Sequence, residues 1–166
     1  MAINSGFKHI MNIFILSTDI KEAARYHVDK HIVKMPLESA QMLCTALILN
    51  GFNDVEYKPA HIKHPCTIWA SASRDNFRWL CNFALELCFE YTYRYDRQHA
   101  CQNVIQNCYS KCNNIPKGML TKFAQAMPVE YKNECAVEAY RLYYMKDKIH
   151  LSTWKKREKP CWFSLG

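Results

Sequence analysis

Glycine is scarce in this chain. Four glycines in 166 residues are too few for a turn-dense β-sandwich or for a glycine-rich phosphate loop. No Cys-x-x-Cys pair occurs, and the nine cysteines are scattered and odd in number. The closest pair, Cys108 and Cys112, has no histidine pair after it at zinc-module spacing. Free thiols in a reducing compartment are therefore expected, with several cysteines serving as small buried hydrophobes. Unbroken apolar stretches fall short of the roughly 20 residues that span a bilayer. The run Met11-Asn-Ile-Phe-Ile-Leu16 is too short for a signal-peptide core, and no small-residue cleavage site follows it. Repeats and low-complexity segments are missing as well. These absences predict a cytoplasmic protein, in the host cytosol if the chain is viral, with no membrane partner.

What is present reads as helix. At this length one domain is expected, and folding can bury about two-thirds of the unfolded surface without disulfides or metals. The fold class is mainly α: a short extension over 1–10, then one helical domain over 11–166 with a basic, aromatic C-terminal end. Asp19 with Glu22 three residues later marks a helix start. That helix should run to about Lys34. Pro36, lacking an N–H, should kink it or begin a second helix that ends at Asn50-Gly51. Residues 52–66 form a loop. Apolar residues from Trp69 through Phe77, Leu80, Cys81, Ala84, Leu85 and Cys88 to Tyr91 recur at three and four, predicting one buried helix over 67–95. Further helices are expected over 99–111, 120–126 and 134–155, with a turn at 113–118.

The most informative stretch lies between His27 and Thr45. At 100° per residue, His27, His31, Lys34, Glu38, Gln41 and Thr45 share an arc of roughly 80°. Two imidazoles, an amine and a carboxylate on one line suit proton transfer. The same stripe also suits the wet face of an ordinary helix with a Lys34–Glu38 ion pair. His61, Lys63 and His64 cluster in the loop that follows and can border the same cleft. A metal-dependent hydrolase using His27, His31 and a loop histidine is one alternative. Glu38 stands two turns, about 10 Å, beyond His31, too far to share one ion on a straight helix. The expectation is therefore no metal and no cofactor.

The chain carries a formal charge of +7. From Tyr140 onward seven cations face two carboxylates, a net +5. Lys155, Lys156, Arg157 and Trp162 interleave positive charge with flat rings, a composition that neutralises phosphates and stacks on unpaired bases.

Three pieces carry a family resemblance. His27 is followed by Met35-Pro36. The central helix reads Asp75…Leu80…Leu85-Glu86-Leu87…Glu90…Arg94. The chain finishes Lys159-Pro160-Cys161-Trp162-Phe163. Together, over about a third of the chain, they resemble the small phage-type pyrimidine-dimer DNA glycosylases, and the chain also resembles functionally unassigned phage-encoded proteins. The resemblance implies an all-helical fold, a DNA partner, a flipped nucleotide, and attack on the sugar by an N-terminal amine assisted by a helix glutamate. Lys34 stands where that family has its glutamate. The family's free terminus falls near Met11 or Asn12, ten residues into this chain. Lys34 or Lys30 is the amine expected to substitute.

The reading is a nucleic-acid-processing protein, glycosylase/lyase-like, acting on DNA or a nucleotide. His31 and His64 are assigned as acid and base, Lys34 or Lys30 as the amine, and Glu38 as the orienting carboxylate. His27, Gln41, His61, Trp69, Asn76, Arg94 and the C-terminal Lys155, Lys156, Arg157 and Trp162 are assigned to substrate binding. The rival from another class is a non-catalytic viral module that sequesters a host protein or a nucleotide.

Overall fold

A computed structural model describes residues 11–164; the extension expected over 1–10 lies outside the described residues. Helix α1 spans Ile20–Tyr26, α2 Asp29–Leu49, α3 Pro65–Ala72, α4 Arg74–Tyr95, α5 Gln102–Ser110 and α6 Ala136–Asp147. Short 3-10 turns occupy Cys112–Asn114, Val129–Tyr131 and Ile149–Leu151, and the described residues contain no strand.

The Asp19 start is present. Its Oδ1 accepts the amides of Lys21 and Glu22 at 2.8 and 3.0 Å. The first break is not where Pro36 suggested. α1 stops at Tyr26, His27 and Val28 are extended, and α2 then runs straight through the buried Pro36. Broken helix ends leave backbone groups that need partners, and here distant side chains supply them. Arg94 donates to the carbonyls of Arg25 and His27, each at 2.9 Å. Trp154 Nε1 donates to the Tyr26 carbonyl at 2.9 Å, and the Val28 amide donates to the Tyr144 hydroxyl at 2.9 Å.

α2 is the centre of the fold and packs on α3, α4 and α5. Its length and composition would allow it to cross a bilayer, at mean hydropathy 1.4, but 67% of that window is packed inside the molecule. That is the position of a core helix. Leu43, Leu47, Phe77 and Leu80 are fully buried between α2 and its neighbours, each worth about 1.5–3 kcal/mol of transfer free energy.

The single helix expected over 67–95 is two. Ser73 is extended and caps α4 by accepting the Asn76 amide at 3.3 Å, while its own hydroxyl donates to the Met119 carbonyl. His64 caps α3 through Nδ1, which accepts the Cys66 amide, and Pro65 takes the first helical position. The segment expected to be helical over 120–126 is irregular. Its backbone polar groups are claimed from outside. Asn76 brackets Thr121, with Nδ2 donating to the hydroxyl and Oδ1 accepting the amide. Tyr140 donates to the Ala124 carbonyl, and Asn12 to that of Ala126. α6 ends at Asp147, eight residues before the expected boundary.

Candidate active site

The strip 11–16 is buried throughout. It lies between α2, which it meets at Glu38, and α6, which it meets at Tyr140. Asn12 is the one polar side chain in that apolar run. Its Oδ1 accepts the Ile13 amide at 2.8 Å and lies 3.0 Å from the Tyr140 hydroxyl, and its Nδ2 donates to the Ala126 carbonyl. Its backbone amide donates to Glu38 Oε2 at 3.1 Å. The other Glu38 oxygen pairs with Lys34 Nζ at 3.2 Å. Glu38 is thus a buried carboxylate held on one side by a fixed amide. On the other side stands an amine whose side chain is 39% exposed.

One turn back, His31 stacks on Phe14, with ring centroids 4.6 Å apart. Burial pushes its imidazole down to about 2, with His27, Lys148 and Lys34 adding repulsion. The ring is therefore neutral. Its Nδ1 lies within hydrogen-bond reach of the Tyr144 hydroxyl, at 2.9 Å. Burial likewise lowers His27, to about 4. Its Nδ1 donates to the Ala23 carbonyl at 2.7 Å, and its bare Nε2 finds no partner among the described residues.

Lys148 joins this corner from the end of α6. Burial lowers its ammonium, and nearby Lys34 lowers it further, against Asp147 and Glu38. His64 arrives from the other side, beside the Met11 backbone, with its imidazole also lowered by burial. With Nδ1 accepting from Cys66, its proton sits on Nε2, which is directed toward the Met11 backbone. α2 and the histidine loop thus converge on residues 11 and 12. On the solvent side, Asp29, Lys30, Val33, Lys34 and Tyr95 line a shallow hollow of about 340 Å³.

Of the stripe seen in the sequence, His27, His31, Glu38 and Thr45 are buried, while Lys34 and Gln41 are half-buried. His27 belongs to the break after α1, not to α2, and is sealed from solvent. Burial favours the neutral form of the His31 ring, which disfavours the acid role assigned to it. Gln41 is half-buried on the same helix, and His61 is exposed at a left-handed φ of 50°. Arg94, expected to touch substrate, is wholly buried. It donates to Glu90 and Asp29 at 2.9 Å each, besides the two α1 carbonyls. Trp69 and Asn76 are framework as well. Trp69 packs on Trp79 and Phe123, and Asn76 clamps Thr121.

Much of the C-terminal charge is also engaged internally. Arg157 makes a two-pronged contact with Glu90, at 2.9 Å from both Nε and Nη2, and lies 3.9 Å from the Tyr93 ring. Lys156 pairs with Asp96 at 2.8 Å. Lys155 sits over the Tyr95 ring that borders the hollow. Trp162 is half-buried against Tyr26, Tyr144 and Phe163, with Arg141 over its face. Tyr140, Tyr144 and Lys148 are site residues that sequence reasoning did not assign, and Asn12 entered it only as the position near which the resembling family's terminus falls. A lone asparagine inside an apolar run was the one signal available.

The histidine metal set is not assembled. The His27 and His31 rings stand 6.4 Å apart with each Nδ1 engaged. Among the described residues, the group of ligand atoms close enough to hold an ion, Cys44, Glu56 and Cys108, contains no histidine. No protein-family model, no curated protein and no solved structure matches this chain. The family resemblance therefore rests on the quoted residues alone.

Proposed function

We propose that the protein processes nucleic acid, DNA first, as a glycosylase/lyase-like enzyme working by amine chemistry at the Lys34–Glu38–Lys148 corner. The observation that supports this is the buried Glu38 carboxylate, bonded to Lys34 and to the Asn12 nitrogen at the rim of a lysine-lined hollow. An amine must lose a proton before it attacks. Glu38 is placed to receive one from Lys34, and burial already weakens the proton on Lys148. Attack on the anomeric carbon forms a C–N bond and expels the base. Opening of the sugar ring then gives an imine. A nucleotide must leave the stack to reach this chemistry. Tyr95 offers a ring beside the hollow, while Lys30 and Lys155 offer charge for its phosphates. The free thiols suit a reducing cytoplasm.

In the resembling family the attacking amine is a chain terminus expected near Met11 or Asn12. Here the Asn12 nitrogen is the group resting on Glu38, so cleavage ahead of Asn12 would present a free amine to the same carboxylate. One experiment covers every source. Incubation with abasic or dimer-containing DNA and borohydride should yield a covalent adduct that Glu38→Gln suppresses. Peptide mapping then assigns the adduct to Lys34, Lys148 or a processed terminus. No adduct with either DNA refutes the proposal.

A further inference from the structure

A second cluster lies away from the Glu38 corner, where α2 meets α5. Cys44 and Cys108 face each other across that contact with their sulfurs 3.7 Å apart. The segment after α2 returns over them and brings the exposed Glu56 to the pair. One ligand atom from each of the three residues lies within 4.8 Å of the other two. The sulfur separation discriminates between two chemistries. Two thiolates on one tetrahedral zinc ion, at about 2.3 Å each, sit about 3.8 Å apart. A disulfide requires about 2.05 Å. The observed spacing excludes a disulfide and matches a chelate; without an ion the same distance is an S–H···S contact.

The surroundings suit ligation. The backbone amides of Tyr57 and Glu56 approach the Cys44 sulfur, while Cys44 and burial hold the Cys108 proton well above the ordinary thiol range, so an ion has to displace it. Glu56 Oε1 accepts from Asn107 Nδ2 at 2.7 Å. That bond orients the carboxylate and leaves its second oxygen available, the outer support ligating carboxylates use. The sulfurs are buried and the carboxylate is exposed, so an ion has a route from solvent and a fourth position that water can fill.

We propose that Cys44, Cys108 and Glu56 bind one thiophilic divalent cation, with Zn²⁺ the best fit. Binding replaces both thiol protons, which leave to solvent, and forms two metal–sulfur bonds and one metal–oxygen bond. The ion ties the 52–57 segment and α5 to the core helix.

The test uses the full chain, reduced and stripped with chelator, with the exposed Cys135 and Cys161 replaced by serine. Titration with Co²⁺ should raise a thiolate-to-cobalt charge-transfer band that saturates at one ion per chain and is displaced by Zn²⁺. Cys44→Ser and Cys108→Ser should abolish the band. Glu56→Gln, on the surface and safe for folding, should weaken binding about tenfold or more. A missing band at saturating cobalt, a band that survives either serine variant, or a Glu56→Gln chain that titrates like its parent each overturns the proposal.

Discussion

Two charged centres occupy this molecule, and each begins as a cation and a carboxylate one helical turn apart. In α4, Glu90 and Arg94 form one pair; in α2, Lys34 and Glu38 form the other. Their fates differ because of what packs against them. Around Arg94 all three guanidinium nitrogens are engaged: Glu90, Asp29 and two carbonyls take four of its five N–H groups, and Arg157 completes Glu90. Around Glu38 the carboxylate is fixed by Asn12 but its cation reaches solvent at the hollow. A buried network rigidifies; a cation that reaches the surface can meet a substrate. The difference lies in the neighbours, not in the local pattern.

That contrast breaks most sharply at Arg94. Arg94→Leu should destabilise by about 3–5 kcal/mol, because Glu90 and Asp29 are left without their partner and the α1 carbonyls are uncapped. Denaturant unfolding measures it, and a loss under 1 kcal/mol would dissolve the distinction between the two centres. Acid comes next. His27 and His31 are neutral when folded and take a proton when unfolded below about pH 6.5. Stability should therefore be level above that pH and fall as pH drops toward 4. At pH 5 the loss is about 2 kcal/mol per histidine. Glu90 adds to the slope at lower pH. Burial opposes its ionisation, but hydrogen bonds from Arg157 and Arg94 outweigh it and keep the carboxyl below its usual 4.5. Its contribution is present above that value and is lost beneath it. His31→Phe should roughly halve the drop in melting temperature between pH 7 and pH 5.

Tyr144→Phe is expected to lower stability by about 1–3 kcal/mol, since the Val28 amide and His31 lose one shared partner. Calorimetry would resolve it. Lys34→Ala should shift stability least, by about 1 kcal/mol or less, because Lys34 is 39% exposed and the buried Glu38 keeps the Asn12 amide and nearby Lys148. It should still cut the borohydride adduct severely if Lys34 is the attacking amine. A large stability loss there would make the second centre another piece of framework.

The four longer helices and the class of the fold were legible in the apolar periodicity, because packing face and local pattern agree there. The breaks were not. Pro36 carries the strongest local stop signal and sits mid-helix. The true interruption at His27 and Val28 has no glycine or proline, and partners far along the chain hold it. The Lys34–Glu38 pair and the burial of His31 and Thr45 were readable because these residues share α2. Asn12, Tyr140 and Lys148 were not, since Tyr140 meets Asn12 across 128 positions of sequence. Arg94 was misread for the same reason: a cation on a helix looks like a surface group until its acceptors are known.

The way α1 is finished has a kinetic consequence. Seven residues are too few for a helix to persist alone in water, and its last carbonyls are answered by Arg94 and Trp154. It should therefore assemble late, after α4 and the C-terminal return have docked. Its amides should exchange with deuterated solvent as one unit with residues 153–157. Proteolytic loss of that return segment would unravel the opening turns of the domain while leaving the α2–α4 pair standing.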